Sequence, residues 1–199
     1  MKEYALRRSK VVKALKGAAG ILFAGDCNEE LGTKWRPHSH FEYLTGITNE
    51  PSAMVLFDPT NPVPARREVL FLMSRNPELE QWKGIRKPLG IELKKELGIS
   101  TILRTRMLSA VLKDVASRTN RFASLMPLAG TDAPVSKDIE LWNKVQERTP
   151  CVELIDCSDV IPTLRSVKSN AEIQTIQEAV DMTAHGFADA MALVKEGVN

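Results

Sequence analysis

Gly20-Ile21-Leu22-Phe23-Ala24 is a continuous apolar run of strand length, the pattern of a strand buried on both faces. It constrains this chain more than any other segment, because a strand without a polar face needs cover above and below. Further short apolar runs occur at Phe41 to Leu44, Ala53 to Phe57, Val69 to Met73, Phe122 to Met126 and Val152 to Ile155. Helical spacing covers Tyr4 to Leu15, Ile91 to Leu97, Met107 to Ser117 and Ser136 to Arg148. Strands come first as neighbours and then alternate with helices. The order predicts an α/β fold, a mixed β-sheet with helices on both faces. Asp58 to Ala65 and Ala129 to Val135, rich in Pro, Asn and Asp, read as exposed turns.

The pattern changes after Pro162. Leu164-Arg165-Ser166-Val167-Lys168-Ser169 leads into one long C-terminal helix from Asn170 to about Glu196, so the expected division is 1–163 and 164–199. Ser169 and Glu172 form a capping box, and Gly197 stands where a helix stop belongs. Ile173, Ile176, Val180, Phe187, Met191 and Val194 fall on one stripe of this helix. At 1.5 Å per residue the helix is about 40 Å long, too long for one small sheet to cover, so a homo-oligomer paired through residues 170–196 is expected.

Composition removes several function classes. With 43% hydrophobic and 26% charged residues the chain is an ordinary globular one. A net charge of +2 lacks the basic surplus of a dedicated nucleic-acid binder. No apolar run approaches the roughly 18 residues that cross a bilayer, and no apolar segment follows the charges of the N-terminus, so no membrane and no export are expected. Cys27, Cys151 and Cys157 match no zinc or redox spacing, which fits a reducing cytoplasm and idle or buried thiols.

Motifs with chemistry are few. Gly25 to Lys34 follows a strand but has six residues between its glycines and Thr33 ahead of Lys34, the wrong spacing for a phosphate loop. His38 and His40 would share one side of an extended segment, but a metal needs a complete ligand set, and hydrogen-bonded loop histidines are the better reading. No Gly-x-Ser-x-Gly elbow occurs, so neither a catalytic residue nor a metal ligand is assigned. Glu80-Gln81-Trp82-Lys83-Gly84-Ile85-Arg86 places an acid, an indole and a guanidinium together on an expected loop. Trp and Arg on exposed loops anchor peptides or partners; the alternative is a Trp packed on the sheet with Glu80 and Arg86 solvated.

Three segments together resemble the Xaa-Pro aminopeptidase and prolidase family, metallopeptidases with a creatinase-like fold. They are Arg36-Pro37-His38-Ser39-His40-Phe41-Glu42-Tyr43-Leu44-Thr45-Gly46 with Glu50-Pro51, then Glu80, Trp82, Gly84 and Arg86, and finally Leu164 to Ser169 with Glu172-Ile173. The resemblance implies an N-terminal domain of mixed sheet and helices at 1–163, followed at 164–199 by a linker and the first helix of a truncated pita-bread catalytic domain. That domain would carry the two Asp, one His and two Glu that hold two divalent metals, typically manganese, so this chain itself holds no cofactor and should be inactive. Substrates of the full-length parent would be proline-containing peptides. Trp82, Arg86 and Glu80 would line the substrate entrance, a role the Glu-x-Trp-x-Gly-x-Arg pattern assigns to the aminopeptidase branch. A prolidase or creatinase-like parent, or a non-enzymatic peptidase-like binding module, are the other readings of the same resemblance.

Overall fold

The computed structural model describes residues 2–26, 35–83, 85–127 and 130–197. It divides into two compact units, 1–162 and 163–199. In the first, α1 (Lys2–Ala14), β1 (Ala19–Phe23), α2 (Ser39–Thr45), β2 (Met54–Phe57), β3 (Glu68–Leu72), α3 (Pro77–Lys83), α4 (Ile91–Leu97), β4 (Thr101–Arg104), α5 (Leu108–Ala116), β5 (Arg121–Ser124), α6 (Lys137–Gln146) and β6 (Glu153–Asp156) follow in order. The strands form one mixed sheet in the order β4-β3-β2-β1-β5-β6. β2 runs antiparallel to both neighbours and the other pairings are parallel, so five strands point one way and β2 alone is reversed.

The apolar run that follows Gly20 does what its composition requires. Ile21 pairs with Leu56 and, through it, Val69, on the face where Phe122, Leu112 of α5 and Trp142 of α6 complete a core cluster. The Phe122 and Trp142 rings lie 4.7 Å apart, and the Trp142 indole N–H donates to the Ala123 carbonyl at 2.9 Å. On the opposite face Gly20 pairs with Phe57, and Phe57 with Glu68, whose carboxylate accepts from Arg8 of α1 at 2.8 Å. A Cβ on Gly20 would come within 2.9 Å of the Leu125 side chain, so the closest approach to the sheet needs the missing side chain. Helices therefore cover both faces.

Several local expectations are corrected. Phe41 to Leu44 is not a strand but lies within α2, where buried His40, Phe41, Leu44 and Thr45 follow helical rather than alternating spacing. Gly46 ends α2 at φ +69, a left-handed position where a Cβ would also lie 2.7 Å from the Tyr4 ring. β4 is an additional strand. A short helix, α7 (Val160–Ser166), precedes the long one, with Pro162 tolerated in the first turn, where a helical N–H has no partner to lose.

The second unit contains the long helix α8 (Asn170–Leu193). Its capping box is present: the Glu172 N–H donates to Ser169 Oγ at 3.2 Å and the Ser169 N–H to the Glu172 carboxylate at 2.8 Å. The helix stops at Leu193, earlier than the expected Glu196, and Gly197 lies beyond it at φ +85. No residue of α8 is buried, including its apolar stripe.

Candidate functional site

Because β2 alone is reversed, the carboxyl ends of β1, β3 and β4 meet the start of β2 at one edge of the sheet, the place where open α/β sheets usually present their loops to ligands. The segment after β3 is anchored there. The Ser74 N–H donates to Thr105 Oγ1 at 3.2 Å, and the Arg106 N–H donates to Ser74 Oγ at 3.1 Å, fastening the exit of β3 to that of β4.

From this anchor α3 starts at Asn76-Pro77. Asn76 Oδ1 accepts from the Glu78 N–H at 3.1 Å, and Pro77 occupies the first helical position, where its lost N–H is harmless. Glu80 is therefore helical, as is Trp82, rather than on the expected loop. Two residues apart on a helix are about 200° apart around its axis, and the two side chains diverge accordingly. Glu80 is buried and Trp82 is 87% exposed.

Glu80 accepts a bidentate fork from Arg75, with Nε to Oε1 at 3.0 Å and Nη2 to Oε2 at 2.8 Å, and a further bond from the Arg86 backbone N–H. The Arg75 hydrogen bond is the main reason its carboxyl is held below the usual range, against an opposing effect of burial. A depressed folded value means that this stabilisation is present above the ordinary carboxylate range near about pH 4 and is lost as pH falls through the lower folded value. The thermal midpoint of the protein should accordingly fall more steeply on acidification below that range than that of Glu80→Gln; parallel acid profiles would show that the pair contributes nothing.

Arg86 turns back toward the sheet. Its Nη1 lies 3.4 Å from Glu50 Oε2 and its Nη2 3.0 Å from Met73 Sδ. Arg104 reaches the same place from β4, donating to the carbonyls of Met73 at 3.1 Å and Lys87 at 2.7 Å. Burial lowers the Arg104 pKa, and the charges of Arg75 and Arg86 lower it further, while Glu50 opposes them. Three guanidiniums and two carboxylates thus hold the α3 segment on the sheet edge with Trp82 outward, and Ile85 is exposed beside it in sequence. Of the two readings of this segment, the structure excludes a Trp packed on the sheet and also excludes solvated, unpaired Glu80 and Arg86.

The sequence pointed to Glu50 only as part of the Glu50-Pro51 pair, not as a partner of Arg86, and did not indicate Arg75 or Arg104. Arg75 stands five residues before Glu80, a spacing close to a helical pairing distance, but the other partners are remote in the chain and have no local signal. At the same edge Asp26 pairs with Lys137, its carboxyl lowered chiefly by that bond and next by the Ser52 hydroxyl at 2.9 Å.

The remaining candidates are accounted for locally. His38 caps α2, its Nδ1 accepting from the His40 N–H at 3.2 Å, with the two rings edge-on at 4.9 Å, so the pair is not on an extended segment. Cys151 is exposed and Cys157 half-buried, the latter's thiol pushed up by burial and then by Asp156. Cys27, Gly84 and most of the glycine-containing loop at 25–34 lie outside the described residues. Among the described residues no group of three or more His, Cys, Asp or Glu is placed to hold a metal ion. No described helix is long and apolar enough to cross a membrane.

Residues 4–123 match the family described as the aminopeptidase P N-terminal domain. The chain belongs to that family. It is 26% identical over 197 residues to a Xaa-Pro aminopeptidase of Haemophilus influenzae, covering 95% of this chain and 42% of that protein. It is 25% identical over 203 residues to intermediate cleaving peptidase 55 of Schizosaccharomyces pombe, covering 95% of this chain and 40% of that one. The chain thus spans less than half the length of these relatives. In structure it resembles the aminopeptidase PepP of Pseudomonas aeruginosa, with a TM-score of 0.75, 24% identity, and coverage of 99% of this chain and 45% of the other, a likeness of fold.

Proposed function

We propose that this chain is the non-catalytic N-terminal part of a metal-dependent Xaa-Pro aminopeptidase, a hydrolase that releases the residue preceding proline, and that its α3 segment shapes the entrance through which peptides reach the reacting centre. The observation that carries the reading is Trp82, a large apolar side chain left 87% exposed on a segment that the Glu80–Arg75 and Arg86–Glu50 pairs hold in place in a member of this domain family. Leaving an indole in water forgoes favourable burial, and an exposed aromatic on a fixed support is suited to receive an apolar side chain or a proline ring. Arg86 and Glu80 act by holding the segment; Trp82 makes the contact.

Residues 164–199 supply the linker and opening helix of the catalytic domain, whose own residues would hold two divalent metals, manganese by family resemblance. Such metals supply a hydroxide nucleophile at neutral pH and polarise the carbonyl that is attacked. The parent enzyme works in the cytoplasm, consistent with the sparse cysteines. It assembles into oligomers with α8 at a contact, supported by the exposed stripe of Ile173, Ile176, Val180, Phe187 and Met191. Sedimentation of the full-length protein as a monomer at every concentration would contradict that assembly. The entrance role is tested by peptide hydrolysis with Trp82 and Arg86 variants of the full-length protein.

A further inference from the structure

A cavity of about 700 Å³ lies between α5 and α6, and none of its lining residues belongs to the α3 segment or its ion pairs. On α5 the lining positions are Ser109, Leu112, Lys113 and Ala116, at i, i+3, i+4 and i+7, with Ser117 at the helix's C-cap; Leu141, Lys144 and Val145 of α6 line the other side, and Arg148 and Thr149 follow in the turn after that helix ends. α5 therefore turns one continuous stripe toward the groove, and α6 contributes the end of its helix. Leu112, Ala116, Leu141 and Val145 form the apolar part. They are the outer margin of the core cluster that α5 and α6 close over the sheet.

The polar part is one-sided. Lys113, Lys144 and Arg148 line the groove, and no carboxylate does. Nearby acids are engaged elsewhere or beside them: Asp114 pairs with Arg118 at 2.5 Å, and Glu147 with Arg148 at 3.2 Å. Among the described residues neither Lys113 nor Lys144 has an ion-pair partner, and both are exposed.

We propose that this groove is a docking site for a partner protein's amphipathic helix whose apolar face is flanked by Asp or Glu. The α5 stripe from Ser109 to Ala116 spans eight residues, about 10 Å, which matches roughly two turns of a helix laid along it with anchors at i, i+3, i+4 and i+7. Lys113 and Lys144, which have no ion-pair partner among the described residues, favour acids beside those anchors and disfavour a basic helix. A nucleic-acid duplex fits poorly, since its binding needs a broader basic surface than a chain of net charge +2 provides. The proposal is independent of the entrance role, which involves other residues.

The probe is a synthetic helical peptide with leucine at the anchor positions and glutamate on both flanks, titrated calorimetrically into this chain, with a lysine-flanked copy as control. The glutamate peptide should bind at micromolar concentrations, and the lysine copy about ten-fold or more weaker. Lys113→Glu combined with Lys144→Glu alters two exposed side chains and should lower the melting temperature only modestly, through their places in the last turns of α5 and α6, while reversing the preference, so that the lysine-flanked peptide becomes the tighter ligand. That reversal cannot come from unfolding. Equal binding of both peptides to the unmodified chain, no reversal in the charge-swapped protein, or binding only to anionic vesicles would overturn the proposal.

Discussion

Arg8→Met should cost about 3–5 kcal/mol of unfolding free energy, read from denaturant titrations of this chain. Arg8 is fully buried, and its guanidinium meets three separate elements. Nε donates to Glu68 of β3 at 2.8 Å, Nη1 to the Leu44 carbonyl at 3.0 Å and Nη2 to the Gly98 carbonyl at 2.6 Å. The two carbonyls stand at the ends of α2 and α4, where helices leave acceptors without an internal partner. Methionine would fill most of the volume but leave these oxygens unpaired, and a buried acceptor without a donor loses its solvation with no compensation. The expected loss is a large share of the roughly 5–15 kcal/mol that stabilises a typical domain. A loss below about 1 kcal/mol would mean that water or neighbouring groups replace the guanidinium.

The sheet was legible because its strands are apolar and its turns are punctuated. Gly20 to Ala24 and Val69 to Met73 reveal themselves by having no polar face, which only a sheet covered on both sides permits. β4 was not legible: within Thr101-Ile102-Leu103-Arg104 only Ile102 is buried, so the outer strand has little apolar pattern to show. α2 was misread because Phe41, Tyr43 and Leu44 have strand-like composition, whereas tertiary burial and the His38 and Gly46 ends make it helical. Glu80, Trp82 and Arg86 could be found as a group, but not their arrangement. Asn76-Pro77 reads as a turn as readily as a helix start, and a seven-residue helix is too short for periodicity to decide between them. Which side chain faces out was decided by Arg75, Glu50 and Arg104, which the fold brings together from separate strands and loops.

Among functional effects the largest is expected at Trp82. The indole presents its whole face to solvent, while the helix beneath it is tied by the Arg75 fork to Glu80 and by the Arg86 backbone, so truncating the ring removes contact area without loosening the support. Arg86→Ala removes the Glu50 and Met73 contacts instead and should act by letting the segment move. On the proposed entrance role, Trp82 would contact the peptide and Arg86 would position Trp82, so both variants should weaken the same step. An aromatic anchor of this kind contributes on the order of 1–2 kcal/mol, or about ten-fold in rate. The direct measurement is kcat/KM of the full-length protein for Xaa-Pro substrates from dipeptide to pentapeptide, with Trp82→Ala and Arg86→Ala compared at matched stability. The account predicts about a ten-fold fall in kcat/KM for both variants and an altered preference for peptide length. Unchanged rates together with an unchanged length profile would contradict an entrance role for this segment.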